Sequence, residues 1–210
     1  MKSIITTLLF AGMATMGYTQ NIKLPAPQKT GGKPLMEALN ERHSSRDFVA
    51  GKQIPMQTLS NLLWSAWGFN RTNKRTAPSS RDKQEITVYA FLPTGTYKYD
   101  AAKNELIEVN KKDLRKMTGE QDFVGNASLN LVYVADLKKI TGKDRESMIA
   151  AVNANTGFIA QNVYLFCASA DLNCVVRAMI DRSKLSKELG LRPDEVITLA
   201  QSVGYGKGAK

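Results

Sequence analysis

Between Asp144 and Asp171 the chain runs without a proline through a long, largely apolar stretch. Met148, Val152, Ile159, Val163 and Phe166 recur at helical spacing, and Ala151 and Phe158 widen the apolar surface to a second face. This predicts a helix of about seven turns, roughly 42 Å long. A helix apolar on more than one face lies inside a protein or between subunits. Gly157, in its middle, costs about 1 kcal/mol against Ala unless something packs closely there. The remaining elements must be arranged around this one.

Residues 129–135, Leu-Asn-Leu-Val-Tyr-Val-Ala, read as a strand apolar enough to be central. Strands are also expected at 86–92, 96–99, 105–109, 173–180 and 195–204. Pro34 opens a short helix whose stripe is Leu35, Met36, Leu39 and His43. Pro55 opens another, with Leu59, Leu62, Leu63, Ala66 and Trp67 on one face and Gly68 as its stop. Trp64 and Trp67 sit at helical spacing, which suits core packing better than a stacking platform. A short basic helix is expected at 111–118, a loop at 70–81, and a last helix at 183–189 closed by Gly190. Helices and strands in this order predict an α+β fold, with a mixed or antiparallel central sheet flanked by helices in three layers around a long central helix.

The chain has 210 residues, enough for one domain with a real core. Residues 1–19 read as a signal peptide: Lys2 precedes an apolar run, and Gly17-Tyr18-Thr19 offers small residues for cleavage. Residues 20–33 form an extended arm punctuated by Pro25, Pro27 and Gly31-Gly32, and 34–210 form the domain. An exported protein is expected, periplasmic in a Gram-negative source, without stable membrane insertion once the leader is removed. The net charge of +10 favours anionic partners. The basic residues are scattered, however, without the aromatic interleaving of single-strand binders, so nucleic acid is not expected. On one continuous helix Cys167 and Cys174 would be roughly 10 Å apart and beyond bridging distance, a separation that a kink or helix end between them would change; two buried thiols are expected. No cysteine, histidine or carboxylate cluster has metal-ligand spacing.

Charge chemistry concentrates in Glu41-Arg42-His43-Ser44-Ser45-Arg46-Asp47-Phe48, which holds two guanidinium groups, two hydroxyls and the sole histidine. Guanidinium forks and hydroxyls suit the oxygens of a phosphate.

Four stretches in order then resemble the FMN-dependent nitroreductase superfamily. They are Arg42-His43-Ser44 with Arg46 and Phe48; Pro78-Ser79-Ser80 with Gln84; Gly157 with Gln161-Asn162; and Val203-Gly204-Tyr205 with Lys207. The likeness is nearer the short branch that includes the thiazole/oxazole-forming dehydrogenases. It implies a homodimer with FMN at the interface, exchanging electrons with a small-molecule donor and acceptor. Arg42 and Ser44 would hold the phosphate with help from Lys207, and His43 would follow the ribityl chain. Arg46 would sit at the N1–C2=O edge, where a fixed cation favours the reduced, anionic ring. Pro78, Ser79 and Ser80 would come from the partner, and the backbone at Arg177, Ala178 and Met179 would face the ring. The flavin carries the chemistry, so no side chain is named as catalytic.

The pattern is broken at Asp82 and Glu85, where Asn and Pro are usual; carboxylates near a reduced flavin would oppose its charge. That favours an alternative, a non-catalytic flavin- or anion-binding protein on the same scaffold. No Lys-Tyr pair of the azoline-oxidising relatives can be placed.

Overall fold

The computed structural model describes residues 21–207, so the leader reading concerns residues outside the described part. The frame is a seven-stranded sheet in which every neighbouring pair is antiparallel. Its strands are β1 (Ile22–Lys23), β4 (Ile86–Leu92), β5 (Gly95–Asp100), β6 (Glu105–Asn110), β7 (Leu129–Asp136), β8 (Asn173–Arg177) and β9 (Glu195–Gly204), in the order β1-β6-β5-β4-β7-β9-β8. A small hairpin, β2 (Phe69–Arg71) with β3 (Lys74–Arg75), stands apart and takes up the start of the expected 70–81 loop.

Period-two alternation distributes the central strands between two cores. Leu129, Leu131, Tyr133 and Ala135 of β7 join one core, with Ile86, Val88 and Ala90 of β4. Val132 and Val134 join the other, with Tyr89 and Phe91. A strand buried on both faces must be apolar throughout, which is why 129–135 carries so little polarity. Helices α2 (Met56–Trp67) and α3 (Arg145–Ser169) cover the first face, and α4 (Arg182–Glu188) covers the second. The fold is α+β, with helical layers on both sides of an antiparallel sheet. Trp67 is core, and its indole N–H donates to the Ile86 carbonyl at 2.7 Å; Trp64 is only half-buried.

Helix α3 starts on a capping box, with Asp144 Oδ1 accepting from the Ser147 amide at 2.8 Å and Ser147 Oγ accepting from the Asp144 amide at 3.1 Å. Its buried face includes Val152, Ile159, Val163 and Cys167, while Ala154, Gly157, Phe158 and Gln161 lie on an exposed one. Nothing in this chain approaches Gly157.

Several expectations need correcting. The stripe of α1 (Leu35–Glu41) does not face the chain's own core: Leu35 is 63% and Met36 75% exposed, and only Ala38 is buried. The basic helix at 111–118 shrinks to one 3-10 turn, Arg115–Thr118. Asn110 and Asp113 side chains take the amides of Lys112 and Arg115, which competes with helix formation. Strand β8 stops at Arg177, because the chain must turn to reach Asp181, whose carboxylate caps α4 through the Lys184 amide. The arm contributes a strand, β1, and is fastened along α2 by Ser60 Oγ to the Pro25 carbonyl and Gln57 Nε2 to the Ala26 carbonyl.

The cysteine geometry also changes. α3 ends at Ser169, between the two thiols, and the chain reverses through Asp171 at φ 53° with the Leu172 amide bonded back to the Cys167 carbonyl at 2.9 Å. Cys167 and Cys174 are therefore not on one helix, and their thiols meet in the core.

Replacing Trp67 with Phe removes the donor to the buried Ile86 carbonyl. Urea denaturation should show a loss of about 1–3 kcal/mol, with the midpoint lower and the slope unchanged.

Candidate functional site

The cationic segment, residues 42–49, is neither helix nor strand, yet it is held along its length. The Ser45 amide donates to the Cys174 carbonyl at 2.9 Å and the Val49 amide to the Tyr205 carbonyl at 2.8 Å. Asn173 Nδ2 donates to the Asp47 carbonyl at 2.6 Å. The segment thus crosses the start of β8 and the end of β9, and its alternate side chains face different ways.

Arg42 and Ser44 gather on Tyr164 of α3. Ser44 Oγ and the Tyr164 hydroxyl are 2.8 Å apart, the same hydroxyl accepts from the Val176 amide at 2.9 Å, and the Arg42 guanidinium lies 5.4 Å from the ring centroid. The Tyr164 hydroxyl thus ties Ser44 to β8, and either hydroxyl can be the donor in the Ser44–Tyr164 bond.

His43, Ser45 and Asp47 instead line a cleft of ≈ 640 Å³ with Cys167, Asp171, Asn173 and Lys207. His43 Nδ1 donates to the Glu41 carbonyl at 2.8 Å. Arg46 and Lys207 meet at a second cleft of ≈ 510 Å³, with Phe48, Asp122 and Phe123. Arg42 and Ser44 line neither cleft. Lys207 shares its charge with Asp47, Nζ to Oδ1 at 3.2 Å. Among the described residues, no carboxylate pairs with Arg42 or Arg46.

The rim carboxylates of the larger cleft are compensated. Lys33 Nζ donates to Asp171 Oδ1 at 2.6 Å, Glu41 Oε2 at 2.7 Å and the Ala168 carbonyl at 3.2 Å. The Asp171 bond, then the Glu41 bond, hold the Lys33 ammonium well above its ordinary range.

The Pro78-Ser79-Ser80 loop belongs to another part of the molecule. The Ser80 amide and hydroxyl both donate to Asn155 Oδ1 at 3.2 Å, and Ser79 Oγ accepts from the Gln84 amide at 3.0 Å. Asn155 and Tyr164 are nine residues apart on α3, a rise of about 14 Å along its axis. Within one chain, then, the loop and the Arg42–Ser44 pair are well separated. Arg81, Asp82 and Gln84 all have positive φ (53°, 54° and 48°), strain that persists only where surrounding bonds fix the conformation. Gln84 supplies several of them, to Asn73, Asp82 and Arg75. Asp82 is held by Lys74 and then Gln84, which depress its carboxyl. Glu85 lies in the core, 1% exposed, with Oε1 accepting from Asn155 Nδ2 at 2.7 Å.

Arg177 offers a ligand no side chain. Its guanidinium is buried and bonds the Thr118 carbonyl (2.7 Å), Thr118 Oγ1 (3.1 Å), Asn130 Oδ1 (2.9 Å) and Ser202 Oγ (3.1 Å). Burial brings it down to about 10, so it stays charged at neutral pH. Ala178 is exposed, and its carbonyl accepts from Arg182 Nη1 at 3.1 Å. Anything the 177–179 stretch presents outward is backbone, or the exposed Met179 side chain.

Sequence reasoning passed over Tyr164, Asn155 and Lys33. The first two could have been noticed as polar side chains on the α3 face that otherwise carries Val152, Ile159 and Val163; Lys33 has no such signal.

Taken together, a helix-flanked antiparallel sheet with a long α3 and a cationic segment laid across its edge defines an α+β scaffold with a candidate anion-binding edge. Residues 39–205 match the model of the Nitroreductase family, and the chain belongs to that family. A "putative nitroreductase" from Ralstonia eutropha is 41% identical, with a TM-score of 0.84 and 90% of each chain covered. A protein of the same description from Methanocaldococcus jannaschii is 25% identical over 171 residues, 76% of this chain and 84% of that one. Another, from Desulfovibrio desulfuricans and solved in complex with FMN, shares the fold at a TM-score of 0.62 and 16% identity, over 85% of this chain and 90% of that one.

A Cβ at Gly119 would lie 2.0 Å from Arg177 Nη1 and 3.0 Å from its Cζ. Because the guanidinium is locked by four acceptors it cannot swing aside, so Gly119→Ala should cost about 2–4 kcal/mol in chemical denaturation.

Proposed function

We propose that this protein is an FMN-dependent oxidoreductase. It passes hydride or electrons from a donor, NAD(P)H or another reductant, to an electron-poor acceptor such as a nitroaromatic or quinone, by a ping-pong route. One observation carries the reading: Arg42, Ser44 and Arg46 are presented along a single fastened segment, with neither arginine neutralised by a carboxylate. Uncompensated guanidinium groups beside a serine hydroxyl fit a phosphate-bearing group.

In this reading Arg42 and Ser44 hold the phosphate, and Tyr164 orients the Ser44 hydroxyl toward it. Lys207 adds charge, tempered by Asp47. His43 follows the ribityl chain, and Arg46 serves the ring edge where negative charge gathers on reduction. The Pro78-Ser79-Ser80 loop comes from a second copy of the chain, and the 177–179 backbone lies against the ring. Bound FMN supplies the redox centre that accepts and returns hydride.

The homodimer is supported by the exposed apolar residues Leu35, Met36, Leu39, Phe158 (48%) and Met179 (56%), and by the separation of the loop from Arg42 within one chain. Export to the periplasm after loss of residues 1–19 remains part of the proposal, as does a place near the thiazole/oxazole-forming branch. No helix among the described residues is long and apolar enough to cross a membrane. The non-catalytic alternative drew on Asp82 and Glu85. Asp82 is bonded to Lys74 and Gln84, and Glu85 is turned into the core, so neither argues for that alternative.

Purified protein soaked with FMN and freed of excess should retain a visible flavin band; no retention would overturn the reading. Arg42→Ala should weaken FMN binding roughly 10–100-fold, the value of a lost charge-assisted bond, while the bound flavin still reduces. Arg46→Ala should slow reduction by NADH or NADPH in stopped flow more than it weakens binding. The double change Leu35→Glu and Met36→Glu should shift sedimentation from dimer to monomer; an unchanged dimer would mean that the α1 face is not the interface.

A further inference from the structure

The two cysteines have no part in the proposed chemistry, yet the fold brings them together and gives one of them an outlet. Cys167 sits in the last turns of α3, and Cys174 is the second residue of β8. The reversal at Asp171 folds β8 back past the end of the helix, so that the two side chains come together within one core. Both are free thiols. Cys167 forms part of the floor of the ≈ 640 Å³ cleft; Cys174 lies behind it and does not line the cleft. Gln201 Nε2 donates to Cys174 Sγ at 3.0 Å and to the Ala160 carbonyl at 3.1 Å, while its Oε1 accepts from the Tyr133 hydroxyl at 2.5 Å. The amide is therefore fixed with an N–H directed at the Cys174 sulfur.

We propose that Cys167 and Cys174 are a redox pair that closes into a disulfide by exchange with a small-molecule disulfide entering this cleft. Cys167, at the cleft floor, is the sulfur the reagent reaches. Its thiolate attacks one sulfur of the reagent, the reagent's S–S bond breaks, and the departing thiolate takes up the proton that Cys167 released. Cys174 then attacks Cys167 Sγ, the mixed disulfide breaks, and a second small thiol leaves with the Cys174 proton. Two protein thiols are oxidised to one disulfide, and one small disulfide is reduced to two thiols. Burial pushes the Cys167 thiol up, so exchange in the folded chain is slow and follows opening of the cleft floor.

The pair is coupled to the cationic segment through the backbone. The Cys174 carbonyl accepts from the Ser45 amide, and Val176, two residues on, bonds the Tyr164 hydroxyl that holds Ser44. Drawing Cys174 toward α3 moves the strand that both bonds depend on. The inference does not require a bound cofactor.

The test incubates the purified, reduced protein with mixtures of oxidised and reduced glutathione, below any unfolding transition. It is then quenched in acid, denatured, alkylated and weighed intact. Wild type should lose both alkylatable thiols together with two hydrogens of mass, and keep no glutathione. Cys174→Ala should retain one glutathione on Cys167, the trapped intermediate, and Cys167→Ala should take up none. Hydrogen exchange at the Ser45 amide should differ between the oxidised and reduced wild type. Two thiols that stay alkylatable at every ratio, glutathione kept by wild type, or chains linked to one another would overturn the proposal. Circular dichroism of each variant identifies any that have lost the fold, and the wild-type mass result stands without them.

Discussion

The structure depends on how the polar side chains on the buried face of α3 find partners. Asn155, Thr156 and Tyr164 point into the molecule, where an unpaired polar group costs far more than a paired one gains. Each pairs with a different element. Asn155 takes the Ser80 amide and hydroxyl and gives its own N–H to Glu85. Thr156 meets Thr198 of β9 at 2.9 Å, and Thr198 reaches the Tyr133 carbonyl of β7. Tyr164 joins Ser44 to β8. Asn162, half-buried, adds the Ser65 carbonyl of α2 at 3.0 Å. Hydrophobic contact alone would let these parts slide on the helix; the polar pairs set their positions along it.

That arrangement explains which parts of the fold could be read from the chain. The central strands and α2, α3 and α4 follow from periodicity and stop signals, and their order led directly to the α+β layout. Periodicity cannot say what an apolar face will meet, so the α1 stripe was legible while its exposure was not. Cys167 and Cys174 are buried and free as expected, but periodicity does not say that the helix end between them brings the thiols together. At 111–118 the basic composition suggested a helix, but Asn110 and Asp113 held the backbone in turns.

The candidate site was legible as chemistry and less so as geometry. The cationic cluster stood out from residue types alone. Its division between Tyr164 and two clefts rests on the alternation of an extended segment, and nothing in the composition announces that the segment is extended. Arg177 shows the reverse case. Only its backbone was expected to matter, yet its side chain is held inside by neutral acceptors contributed from residues 118, 130 and 202, too far apart in sequence to be read as a set.

The antiparallel sheet has β8 at one margin, and a bare margin of unpaired backbone groups invites a second strand from another molecule. Residues 42–49 lie across that margin, and the Ser45 amide occupies the Cys174 carbonyl that an intruding strand would use. The stretch that presents the guanidinium groups is thus also a guard against self-association of the sheet. Changes that loosen it for the sake of altered ligand preference would carry a solubility penalty, so this segment has less freedom to vary than its position outside helix and strand suggests.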